Sequence, residues 1–273
     1  MTKEVTVPPV ENTGVAPSYL QGKSGQTLIG IDSSDLIIPR IKLLQGISPE
    51  LAEHNNAKSG IFWHNILAQP IGDKPELSFI VASFAKKYLL MAPRTDSRTI
   101  LARAEDGVHW SPPNASFEVK LKGIKEPQKW ETKPTVRESG LAEFGSSVAG
   151  DPDSKPAAIL VYEYLIYLPD YPELSPIVMS LVRSQVRKGK DLNSKITFRN
   201  APLASMRFKM KVIEEQSPDG PYNNFQFMND GWATEVEYER VLDIEKRFRS
   251  YRVADEAGVV EDNDDDAPTP KEY

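Results

Sequence analysis

Cysteine is absent from the 273 residues. Disulfide frameworks, thiolate nucleophiles and cysteine-type zinc sites are therefore excluded, and the absence fits a reducing compartment. Histidine is scarce: His54, His64 and His109 are the three present. Their spacing makes no His-x-x-x-His or His-Glu-x-x-His pattern, so they read as structural or solvated rather than metal-ligating. No Gly-x-Ser-x-Gly elbow offers a serine nucleophile. Long apolar runs are lacking too. The longest, Ala157 to Leu168, is interrupted by Glu163, ends at Pro169 and is too short to span a bilayer. The opening MTKEVTVPPVENTG has no apolar core of the kind a signal peptide needs. Gly22-Lys23-Ser24 ends like a phosphate-binding loop, but Pro17 stands where that loop's first glycine belongs. Asp264-Asp265-Asp266 lacks the glycine and distal glutamate of a calcium loop. Asp153-Ser-Lys155 with Glu163 has the residue types of a nuclease triplet, yet it lies in a proline-rich stretch instead of on a strand. The expectation is a soluble cytoplasmic binding protein with no catalysis, cofactor, metal or membrane contact.

What is present is an uneven charge distribution. The net charge is −6. Residues 254–273 hold eight acids against Lys271 alone, a charge of −7, which leaves +1 for the other 253 residues. Between Arg183 and Lys211, nine cations face one acid, Asp191, giving +8 over 29 residues. A basic segment and an acidic tail in one chain imply a polyanionic ligand, a partner for the tail, or both.

Residues 1–34, rich in Pro, Gly, Ser and Thr, read as a flexible arm. Order is expected to begin at 35–45 (DLIIPRIKLLQ) in extended form, because the residue before a proline avoids the helical region. Segments 60–67 and 77–91 have the aromatic and branched content of strands. Residues 110–156, with six prolines and four glycines, read as a loop system or an insertion. The run 157–168 predicts a strand paired antiparallel to 176–183 across the YPELSP turn, followed by a short basic helix over 185–197. In 206–213, Met206, Phe208, Met210 and Val212 alternate with Arg207, Lys209 and Lys211, the two-residue period of a half-buried strand. The turn Ser217–Gly220 leads to a hairpin partner at 223–228 with Phe225 and Phe227 on one face. Thr234 and Glu237 then form a capping-box pattern ahead of a helix to about Tyr251, with Val241, Ile244 and Phe248 on its apolar stripe. Residues 254–273 have little to bury and are expected to be disordered. The class is mainly β to α+β, one body over 35–253 with a C-terminal helix.

Binding single strands requires cations along the phosphates and flat rings for unpaired bases. The candidate cations are Arg183, Arg187, Lys188, Lys190, Lys195, Arg199, Arg207, Lys209 and Lys211. Phe198, Tyr222 and Trp232 are the stacking candidates because they lie outside the regular apolar alternation, whereas Phe208, Phe225 and Phe227 suit the core.

A basic, barrel-like body followed by an acidic tail with a terminal aromatic residue resembles the single-stranded DNA-binding proteins of tailed phages, such as T7-like phages. The resemblance implies a body built as an elaborated five-stranded, OB-like antiparallel barrel, and sequence-tolerant DNA binding in replication or recombination. It also implies a tail that recruits partner proteins and competes with DNA. By position, Asp262, Asp264, Asp265, Asp266 and Tyr273 fall to partner contact. Two other classes stay open: an oligomeric single-strand annealing protein, and a host-directed or structural interaction protein that never touches nucleic acid.

Overall fold

The computed structural model describes residues 39–93, 99–217 and 220–248. The arm, the acidic tail with its partner-contact residues, and Tyr251 lie outside the described residues. The elements in chain order are β1 (Arg40–Leu43), α1 (Glu50–Glu53), β2 (Phe62–His64), β3 (Gln69–Pro70), β4 (Glu76–Met91), β5 (Ile100–Ala104), β6 (Ser116–Val119), β7 (Gln128–Glu131), α2 (Val136–Ser139), β8 (Ala158–Tyr167), β9 (Ile177–Val182), α3 (Val186–Phe198), β10 (Met206–Ser217), β11 (Gly220–Trp232) and α4 (Glu235–Phe248).

Among the described residues, nine strands form one curled sheet in the order β11-β10-β4-β8-β9-β1-β2-β3, with β5 alongside the far end of β4; β6 and β7 make a separate hairpin. The protein is thus mainly β, as its sequence leads one to expect. The sheet has more than the five strands anticipated, and it is not wholly antiparallel, since β1 runs parallel to β9. That parallel pairing is possible because the long excursion through β2–β8 separates the two strands in sequence, and a parallel neighbour cannot be reached by a tight hairpin.

Strand alternation assigns the two faces. On face A, Phe79, Val81, Tyr164, Ile166, Met179, Phe208, Phe225 and Phe227 build the main core, closed by Leu192 of α3. On face B, Ile80, Ala82, Leu165 and Val178 receive Val241 and Ile244 of α4. The Thr234–Glu237 capping box anticipated from sequence forms: Glu237 N–H donates to Thr234 Oγ1 at 3.3 Å and Thr234 N–H to Glu237 Oε2 at 2.8 Å. Two of the orphan amides at the start of α4 gain partners in this way. Between 100 and 158 a smaller core gathers Trp110, Val119, Trp130, Val136 and Leu141 against Leu90 and Ala158. The proline- and glycine-rich stretch is therefore packed, its tryptophans held by Trp110 Nε1 to Ser139 Oγ (3.0 Å) and Trp130 Nε1 to the Ser147 carbonyl (3.1 Å).

The two ends of the curled sheet meet at a side-chain seam. Gln45, just beyond β1, donates Nε2 to the Asn223 carbonyl at 2.9 Å and accepts the Asn223 N–H on Oε1 at 2.9 Å. Its amide thus does for β11 what a neighbouring strand would. Asn223 Nδ2 returns bonds to the Leu44 carbonyl and Ser59 Oγ, and Phe62 stacks on Phe225 at 6.1 Å behind the seam.

Candidate nucleic-acid interface

The interface begins with α3. Its position is set by Gly189, which lies so close to the sheet that a Cβ would sit 2.6 Å from Tyr162 Cδ2 and 3.2 Å from Leu181 Cδ1. One turn on, Asn193 Oδ1 accepts the Tyr164 hydroxyl at 2.8 Å, a proton whose pKa burial pushes up. With Gly189 and Leu192 buried, Arg187, Lys190 and Phe198 point outward. The helix also seals β11: Lys195 Nζ donates to the Phe227 carbonyl at 2.7 Å and Arg199 Nη1 to the Gly231 carbonyl at 3.0 Å.

The nine cations that are contiguous in sequence are not contiguous in space. Arg187, Lys188, Lys190, Lys195 and Arg199 belong to α3 and its end. Arg207, Lys209 and Lys211 alternate with core residues of face A and therefore lie on face B. Arg183 precedes α3 with φ +52°. Several cations are already neutralised. Arg207 bridges Asp230 (2.9 Å), Glu237 (3.1 Å) and Asp170 (3.4 Å), tying α4 to the sheet. Lys209 lies 3.9 Å from both Glu76 and Asp230. Arg207 and Lys209 line a cleft of about 380 Å³ with Lys74 and four carboxylates, Asp73, Glu76, Asp170 and Asp230, which disfavours phosphate there.

Beyond Lys211 the β10–β11 ribbon leaves β4 and reaches α3, where Glu215 pairs with Lys188 at 2.5 Å. Tyr222, a predicted stacking residue, spends its hydroxyl on the same carboxylate (2.8 Å), as does Asn224 Nδ2 (2.7 Å). Burial raises the Glu215 pKa, but hydrogen bonds from Lys188, Asn224 and Tyr222 outweigh it and hold the carboxyl below its ordinary value. Lys195 pairs with Asp191 one turn away. Arg187 and Lys211 are exposed with no ion pair among the described residues.

What the fold does bring together is Arg199 and Trp232. Phe198, the last residue of α3, is 87% exposed, and Trp232, the last of β11, is 60% exposed. Between them in the chain path stands Arg199, its guanidinium 4.9 Å from the Trp232 ring centroid and its Nη1 fixed on Gly231. The other three tryptophans, Trp63, Trp110 and Trp130, are buried. A guanidinium over an exposed indole, with the exposed Phe198 one residue before Arg199 in the chain, offers a surface on which unpaired bases can stack while a phosphate meets the cation. Phe208, Phe225 and Phe227 are core, as their alternation predicts.

The nuclease-type residues do not converge. Glu163 points to face B, where Lys87 (2.7 Å) and Arg40 (3.3 Å) hold it, while Asp153 is exposed in a turn with its N–H on Asp151. Sequence reading also passed over Phe84, Lys86 and Tyr88. They sit inside a strand pattern dominated by apolar neighbours, and nothing local signals that this face of β4 is partly open. No helix among the described residues is long and apolar enough to cross a membrane.

No curated protein and no solved structure matches this chain. A family model does, over residues 10–254, so that the curled sheet, α3 and the exposed Phe198–Arg199–Trp232 cluster all fall within the match. The chain belongs to the Pam3 phage gp34-like protein family.

Proposed function

We propose that this phage-family protein binds single-stranded DNA without sequence preference, as a non-enzymatic component of replication or recombination. The observation that carries the reading is the fixed Arg199 guanidinium over the exposed Trp232 ring, with Phe198 exposed one residue before Arg199. In this reading the sheet is an elaborated OB-like barrel, supported by its curl and side-chain seam. Arg187 and Lys190 of α3 follow the phosphates, and the acidic residues 254–273 contact partner proteins. Face B, with its neutralised Arg207 and Lys209, stays out of the interface.

Titration with poly-dT oligonucleotides tests this, because Trp232 is the exposed fluorophore among four. Binding should quench its emission. Each stacked base contributes about 1–3 kcal/mol, so Phe198→Ala with Trp232→Ala should weaken affinity at least tenfold. Two or three phosphate contacts should give a log–log salt slope of about −1.4 to −2. Absence of binding at low salt would overturn the reading.

The ion pairing of Lys188, Lys195, Arg207 and Lys209 favours a second reading, a protein-interaction role in which the exposed rings anchor a phage or host protein. Exposed aromatic residues and arginines also dominate protein hot spots. Its signature is oligonucleotide affinity no better than that for heparin.

A further inference from the structure

Along face A of β4, the residues on either side of one short strip are covered. Val81 and Tyr164 belong to the main core, and Leu90 and Ala158 to the smaller one. Between them Phe84 is 36% exposed, Lys86 is exposed and Tyr88 half-buried. β10 pairs with β4 no further than Ile80 and β5 joins only at Tyr88, so among the described residues no strand pairs with 81–87 opposite β8. The rings are pre-set: Phe84 lies 5.6 Å from Tyr162 and 5.0 Å from Tyr164, and the Lys86 ammonium sits 5.3 Å over the Tyr88 ring. The acid in register with this strip, Glu163, faces B, as does Lys87, so within β4 the open strip presents a cation alone.

We propose that Phe84, Lys86 and Tyr88 form a second base-stacking site for single-stranded nucleic acid, joined to the Phe198–Trp232 platform across α3. The connection is short. Phe84 packs on Tyr164, whose hydroxyl is bonded to Asn193, and Phe198 lies five residues further along the helix, about 7.5 Å at 1.5 Å per residue. Alternate residues on one strand face stand about 6.6 Å apart, so three positions offer roughly 13 Å of ring-and-cation surface. This inference rests on the single-strand reading above and names the path the strand takes.

The test pairs a 20-nucleotide poly-dT titration with photo-cross-linking of 5-iodouracil-substituted oligonucleotide, on the full chain and on Phe84→Leu and Lys86→Gln. Phe84→Leu keeps bulk against Tyr162 and Tyr164 while removing the flat ring; Lys86→Gln changes an exposed tip and decides the matter if Phe84→Leu loses its fold. Support is cross-linking to the peptide holding Phe84–Tyr88, with affinity reduced about tenfold in Phe84→Leu, the equivalent of one stacked base, and about twofold to threefold in Lys86→Gln. Unchanged affinity in both variants, with cross-links confined to Phe198 and Trp232, overturns the second site and leaves the first. No binding by the unaltered protein overturns both.

Discussion

Arg207 shows how a residue's type can suggest one role and its surroundings impose another. In sequence it is one cation of a basic strand face; in the fold it meets three carboxylates, from β11, α4 and the turn after β8. Arg207→Ala would remove the ion pair of Glu237 and leave Asp230 with Lys209 alone, at 3.9 Å. A loss of about 1–2 kcal/mol in stability is expected, discounted because the side chain is partly exposed. The salt slope of oligonucleotide binding should not move. Urea titration and a salt series on one preparation check both halves. Two carboxyls also set a pH response. Burial raises Asp230, but Ser78 and Arg207 outweigh it, and Glu215 is lowered in the same manner by Lys188, Asn224 and Tyr222. A carboxyl depressed in the folded state contributes stability above its ordinary pKa and loses it as pH falls towards the folded value. The urea midpoint should therefore fall between pH 6 and pH 3, and Glu215→Gln should flatten part of that fall.

At the scale of elements, two positions decide whether α3 and the seam form. Glycine inside a helix normally disfavours it by about 1 kcal/mol relative to alanine. Gly189→Ala should nonetheless destabilise, by about 1–3 kcal/mol, because the added methyl would meet Tyr162 and Leu181 below van der Waals distance. A higher melting temperature for the alanine variant would show that α3 can lift without penalty. Gln45→Ala removes both bonds to Asn223 and should cost about 1–3 kcal/mol, with faster amide exchange at Asn223 than at the mid-strand residues of β8. The elements themselves were largely legible. Met206, Phe208 and Met210 read as one buried face because a strand repeats every two residues, and Thr234 with Glu237 marked the start of α4 because the cap is local chemistry. Gln45 was not legible: its partner is 178 residues away, and a glutamine after a strand has no pattern of its own.

At the scale of the whole molecule, the basic block from Arg183 to Lys211 separates into two groups because the chain passes from α3 on face A to alternating positions on β10. Sequence proximity gave the charge, but not the face. Nor did it give the acids that meet it, since Asp170, Glu215 and Asp230 come from other segments. Of the three stacking candidates, Phe198 and Trp232 are exposed because they end their elements, where apolar side chains run out of neighbours, whereas Tyr222 is drawn into the Glu215 network. Charge reversal should expose the division. Arg187→Glu on α3 should weaken oligonucleotide binding about threefold to tenfold at low salt, while Lys211→Glu on face B should change it by less than twofold.

One boundary of the sheet carries a consequence for how copies of this protein meet. Along β11 the outward carbonyls of Asn223, Phe227 and Gly231 are occupied by Gln45, Lys195 and Arg199, and the Phe225 N–H by Asn224 Oδ1. An open strand of this length would be a template for another chain's backbone. Here the template is filled from within, and a neighbouring molecule would have to displace several internal bonds before it could add a strand. High local concentration, such as crowding along a shared polymer, would then bring copies side by side without strand addition at β11.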